Sequence, residues 1–224
     1  MIVVRSVKRS YEARTRRRHA EDTRRRIIDQ AGRLFAEVGY QRTTMEAIAA
    51  EAGVSVESVY AHFKNKRTIL ERFLDVAVAG DHEPVPVLER PEVQNLSEIA
   101  DQRELIKRLA HLSRSILERA APAHRALRSA ALSDPKIESL LDADQDRRHA
   151  GQAAFVTLIA RRGRLGVTLE EATDIYWGLA SPELYGLLVR TRHWSPDRYE
   201  SWLAETLTQL LLDTTDTNGH LRPS

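Results

Sequence analysis

One period runs through almost the whole chain, and it is the helical one. Between residues 20 and 38, Ile27, Ile28, Ala31, Leu34, Phe35 and Val38 fall on one apolar stripe at helical spacing. Gly39 follows as a left-handed stop. Thr44 can cap a short second helix over 45–51, with Met45, Ile48 and Ala49 facing inward. Ala52, Gly53 and Val54 make a tight turn, and Ser55 caps a third helix over 56–63. Asn65 precedes a fourth helix over 66–79, with Ile69, Leu70, Phe73, Leu74 and Ala77 on one face.

Pro84, Pro86 and Pro91 break the pattern over 81–97, which reads as an irregular connection. Helical spacing returns over 98–119, 122–132 and 135–163, with Pro122 and Pro135 placed in first turns. Thr168 to Glu171 is a capping box that opens a helix, and Ser181-Pro182 interrupts it. Ser195-Pro196 opens the last helix, expected to run to about Asp213. No strand pattern and no internal repeat stand out. The expected fold is all-α: a small N-terminal three-helix bundle joined to a larger C-terminal helical domain.

Charge divides the chain the same way. Residues 1–26 hold ten Lys or Arg and three acids, whereas the chain as a whole carries only +2. A basic front and an acidic rear suit a protein whose front meets a polyanion, although a basic terminus is also compatible with a plain solvated tail. There is no cysteine, so disulfides and thiolate metal sites are excluded. No run reaches the roughly 18 apolar residues of a membrane helix. A cytoplasmic location is expected, without a signal peptide.

Enzyme chemistry finds no support. The eight histidines include no pair at zinc-site spacing. Asp142, Asp144 and Asp146 resemble a calcium loop for three positions, but the loop glycine and the distal glutamate are missing. That run reads as a solvated helix face. No phosphate loop or nucleophile elbow is present, and neither a cofactor nor a metal is expected.

The stretch from Thr43 to Phe63, TTMEAIAAEAGVSVESVYAHF, sets a short helix, a turn at Gly53 and a second short helix in series. This is the order of a helix-turn-helix, which lays its second helix in the DNA major groove. The flanks LFAEVGYQRTTMEAIAAEAGVS and SVYAHFKNKRTIL make residues 22–75 resemble the tetracycline-repressor (TetR) family of bacterial regulators. The family's Tyr-x-His/Tyr-Phe-x-x-Lys ending is matched by Tyr60, His62, Phe63 and Lys66.

The resemblance implies a dimeric repressor that binds a palindromic double-stranded operator and is released by a small effector. On that reading the chain divides into a basic arm (1–19), a DNA-binding head (20–65), a connecting helix (66–80) that acts as the lever, an effector and dimerisation domain (81–213) and a flexible tail (214–224). Phosphate contacts are expected from Thr44, Tyr60, His62, Lys64 and Lys66. Base contacts are expected from Met45, Val56, Glu57, Ser58 and Ala61, with Glu57 unusual for a DNA face. Arg16, Arg17 and Arg18 are expected to reach the backbone or minor groove. An apolar or aromatic effector is expected among His111, Leu112, Ser115, Phe155, Leu158, Ile159, Tyr176, Trp177 and Tyr185. A homodimer face is expected on Trp202, Leu203, Thr206, Leu207, Leu210 and Leu211. Two alternatives stay open: an activator of the same fold, and a helical ligand-binding module that does not bind DNA.

Overall fold

The computed structural model describes residues 3–213, with side chains from Arg14 onward. The chain is all-α, an N-terminal helix-turn-helix bundle carrying a larger C-terminal helical domain. Helix α1 spans Val3–Glu37, α2 Met45–Ala52, α3 Val56–His62 and α4 Lys66–Ala79. Single helical turns follow at Val87–Glu89, Pro91–Gln94 (α5) and Asn95–Glu98. The rear domain is built from α6 (Gln102–Ala131), α7 (Pro135–Ala160), α8 (Leu169–Leu179), the short α9 (Pro182–Tyr185) with a π-helical turn over Gly186–Thr191, and α10 (Pro196–Leu211). Among the described residues, extended pairing is limited to a lone antiparallel bridge between Leu165 and Leu212.

The caps explain where the helices begin. Thr44, Ser55, Asn65, Asp101, Asp134, Thr168, Ser181 and Ser195 each accept a backbone N–H of the first turn they precede. Gly53 ends α2 at φ 63°, a left-handed conformation that suits glycine, and an added Cβ there meets nothing within 4 Å. The turn therefore selects glycine by backbone angle and not by space. Gly32 is the opposite case. It lies mid-helix in α1, where a Cβ would sit 2.3 Å from the Phe73 ring of α4, so this crossing needs a residue without a side chain.

Two cores are present, and α6 threads both. The front core joins Ile27, Phe35, Ile48, Val59 and Phe63 of the head and Leu70 of α4 to Leu127, Ala130 and Ile137 at the α6–α7 turn. The rear core gathers Leu105, Leu109, Val156, Tyr176, Tyr199 and Leu203. Pro122, expected to start a helix, lies inside continuous α6. Lacking an N–H, it removes one helical bond, which neighbouring turns and packing on both faces tolerate.

The basic segment is helical. Residues 14–18 continue α1, so Arg16, Arg17 and Arg18 point around the helix axis. Arg17 pairs with Glu21 one turn on, at 3.1 Å. The expected flexible tail, 214–224, and the side chains of the first thirteen residues lie outside the described residues.

Candidate nucleic-acid interface and effector cleft

Helix α3 has two unlike faces. Val59 and Phe63 are fully buried in the head core, and Arg24 of α1 lays its guanidinium over the Phe63 ring at 5.2 Å. The other face is open: Tyr60 is 51% exposed, and Glu57, Ala61 and Lys64 are exposed beside it. His62 and Ser58 lie between the two faces, half-buried. Tyr60 is thus held outward by its two locked apolar neighbours, Val59 and Phe63.

Three expected contacts are placed elsewhere. Met45 is buried at 8% exposure as part of the front core, so it cannot reach a base edge. Its position is inward because it shares one helical stripe with buried Ile48, Ala49 and Ala52. Val56 is half-buried against the same core. Lys66 points back into the head. Its Nζ donates to the carbonyls of Tyr40 (2.6 Å) and Thr43 (2.7 Å) and lies 4.3 Å from the Tyr40 ring centre. Burial lowers the pKa of this ammonium group. The lysine ties the N-terminus of α4 to the α1–α2 loop.

Glu57 also acquires a local role. Its own backbone N–H and the Ser55 hydroxyl hold its carboxyl below the usual range. Glu46 does the same with its own N–H and Thr44 at the start of α2. Each helix of the pair thus begins with a hydroxyl cap and a carboxylate two residues on, Thr44-Met-Glu46 and Ser55-Val-Glu57. A negative charge there complements the positive end of the helix. The repeated spacing was the sequence signal for this role.

Most of the expected effector residues are gathered in or against the rear core. Ile159 and Tyr176 have no exposure and belong to the rear core, and Tyr185 is buried beside Tyr199. The Tyr176 hydroxyl donates to the Leu109 carbonyl (3.2 Å) and pairs with Ser113 (2.9 Å). Leu112 and Leu158 pack partly buried against the same core, and Ser115 is half-buried. His111 is exposed and meets Glu200 at 3.0 Å. Trp177 packs against His149 and Arg148. Of the nine, only Phe155 lines the large cleft.

That cleft, about 1250 Å³, lies where the head meets the rear domain, between α1, α4, the 81–89 connection, α6 and α7. Its rim is charged and paired: Arg25 with Glu83 (3.5 Å), His82 with Asp29 (3.1 Å), and Arg90 with Asp81 (2.6 Å). The bidentate Arg90 holds the Asp81 carboxyl well below the usual carboxylate range. Its floor contains His124 and Asp144, facing one another at 3.3 Å and each 4% exposed. Asp144 therefore does not belong to a solvated helix face as its acidic neighbours suggested. Burial pushes the Asp144 carboxyl up, and burial together with Arg148 and Arg128 pushes the His124 imidazole down to about 3. No sequence signal pointed here, because the groups that meet are brought together by the α6–α7 crossing.

The expected dimer stripe divides in two. Leu203, Leu207 and Leu211 have no exposure and are used by the chain's own core. Trp202 and Thr206 are half-buried and Leu210 is 47% exposed, one helical turn apart along the outside of α10. Among the described residues, no helix is long and apolar enough to cross a membrane, and no group of three or more His, Asp or Glu could hold a metal ion.

A capped helix pair with an outward aromatic and basic face, mounted on a helical domain with a cleft beneath it, defines the class of helix-turn-helix regulators. Residues 27–73 match the family described as bacterial regulatory proteins, tetR family. That match lies within the N-terminal helix-turn-helix head and the start of α4. Over 62 residues it is 40% identical to the HTH-type transcriptional regulator TtgR of Pseudomonas putida, covering 28% of this chain and 30% of that one. Over 65 residues it is 35% identical to AcrR of Shigella flexneri, covering 29% and 30%. The chain thus spans under a third of the length of these curated relatives. Similarity of fold reaches much further. A transcriptional regulator from Saccharomonospora viridis in complex with choline is 25% identical with a TM-score of 0.65, covering 86% of this chain and 99% of that one. A SmeT–triclosan complex is 20% identical with a TM-score of 0.64, covering 90% and 99%.

Proposed function

We propose that the protein is a transcriptional repressor that binds a palindromic operator as a homodimer and leaves it when a small molecule occupies the cleft. The observation that carries this reading is the outward face of α3. Tyr60 and Lys64 stand ready for phosphates, and Ala61 with the first turn of the helix stands toward base edges. His62 is a half-buried neighbour of that face. It lies in the last turn of α3, close in sequence to Lys64.

The cleft supports the regulatory half. Leu74 and Val76 of α4 form part of its wall, and α4 begins at Lys66, whose ammonium group grips the α1–α2 loop. A ligand that shifts α4 therefore acts on the loop that sets the angle of α2 and α3. Release requires the ligand to bind the DNA-misfitting arrangement more tightly than the DNA-bound one. The bound choline and triclosan of the two fold relatives fit a ligand-responsive rear domain.

Selection of bound duplexes from random DNA tests the first half. The expected product is a two-fold symmetric site with half-sites about one helical turn apart. Recovery of no preferred sequence refutes it. Compounds screened for release of the selected duplex then test the second half.

A further inference from the structure

The cleft floor presents buried polar atoms that lack bonds. Asp144 Oδ2, His124 Nε2 and Gln152 Oε1 are each buried with no hydrogen-bond partner among the described residues. His124 Nε2 and Asp144 Oδ2 come within 3.3 Å but too obliquely to bond. His124 Nδ1 lies 3.2 Å from the Ala120 carbonyl. A carbonyl can only accept, so Nδ1 carries the ring proton, and the neutral imidazole turns a lone pair at Nε2 toward the floor. The floor is thus rich in acceptors and short of donors.

Each nearby guanidinium group already has a partner. Arg148 donates to the Ala180 carbonyl (3.2 Å) and lies over the Trp177 ring at 5.8 Å. Arg147 reaches the other oxygen of Asp144, Oδ1, at 3.5 Å. Arg128 pairs with Glu183. Above these polar atoms the walls are apolar, formed by Ile116, Leu117 and Phe155. Buried polar atoms in native structures are usually hydrogen-bonded, so these acceptors suit a donor from outside the chain.

We propose that the cleft is built for an apolar ligand with a hydrogen-bond-donating head, a phenol or a primary amine, which docks on Asp144 Oδ2 and Gln152 Oε1. This rests on the cleft being the effector site, and it names what that effector must carry. The apolar body lies against Ile116, Leu117 and Phe155. A head that only accepts, such as a methoxy group or a carboxylate, meets the floor lone pair to lone pair.

Calorimetric titration of the full chain with three biphenyls, bearing a hydroxyl, an aminomethyl or a methoxy group, tests the proposal. The hydroxyl and aminomethyl compounds are expected to bind about tenfold or more tightly than the methoxy compound. Gln152→Leu should weaken the two donors by about tenfold and leave the methoxy compound unchanged. Asp144→Asn should weaken the amine more than the phenol, because only the amine loses an opposite charge. Equal binding of all three, equal loss of all three in Gln152→Leu, or no binding by either donor overturns the proposal. Release of the selected duplex is followed in parallel. Donors that bind as described while the duplex stays bound support the donor head and overturn the regulatory reading. A methoxy compound that binds as tightly and frees the duplex does the reverse.

Discussion

Lys66 buries its ammonium group against the carbonyls of Tyr40 and Thr43. Those charge-assisted bonds hold the α1–α2 loop, so Lys66→Met should destabilise the head by about 2 kcal/mol. A denaturant melt measures this. A phosphate contact alone would leave the melt unchanged and flatten only the salt dependence of DNA binding. Gly32→Ala should cost a similar amount, about 1–3 kcal/mol, because its Cβ would enter the Phe73 ring. An unshifted midpoint would show that Phe73 has room to move. Residues with a strong local cause were legible in the sequence. Gly39 and Gly53 do adopt positive φ, and Thr44 and Ser55 do cap. Lys66 was misread because its partners, about 25 residues back in sequence, meet it only after α1 and α4 pack.

Helices α6 and α7 carry the pair that the sequence hid. As pH falls from 6.5 toward 3, unfolded histidine gains a proton that buried His124 refuses, so this group's stabilisation is lost through that window. Asp144 acts in the opposite direction. Its raised folded pKa means the folded chain takes up a proton before the unfolded chain does, which offsets part of the loss as pH falls toward 3.8. Asp144→Asn removes the offset. The variant should therefore lose stability more steeply than the parent between pH 6.5 and 3.8, with the His124 contribution approaching about 1.4 kcal/mol per pH unit. Urea melts across this range measure it, and parallel slopes would contradict the assignment. Element boundaries were legible wherever a cap and an apolar stripe agreed, as in α2, α3 and α4. They were not legible at Pro122, where packing on two cores carries α6 through a residue that usually begins or breaks a helix.

At the scale of the whole molecule, the proposed function assigns the outer face of α3 to DNA, the cleft beneath it to an effector and an outer stripe of α10 to a second copy. The expected interface on α10 narrows to Trp202, Thr206 and Leu210, since Leu203, Leu207 and Leu211 are fully buried within the chain. Leu210→Glu should shift the chain toward monomer in sedimentation at low micromolar concentration while leaving its thermal midpoint nearly unchanged. Leu207→Ala should lower the midpoint, consistent with a loss of about 2–5 kcal/mol for a core leucine. A dimer unaffected by Leu210→Glu would move the interface elsewhere. Periodicity identified α10 as apolar on a broad face. It could not apportion that face between core and partner, because both demand the same residues at the same spacing. The cleft was illegible for a related reason: its floor and walls come from five separate segments.

On the proposed function, the outer face of α3 reads DNA. The most direct test is the affinity of the full chain for its selected duplex and for a scrambled duplex across a salt series, with Lys64→Ala and Tyr60→Ala alongside. The account predicts a clear preference for the selected duplex. Lys64→Ala should make the slope of log affinity against log salt shallower by about one. Tyr60→Ala should weaken binding with little change in slope. Equal affinity for both duplexes, or a Lys64→Ala slope that matches the parent, would contradict it.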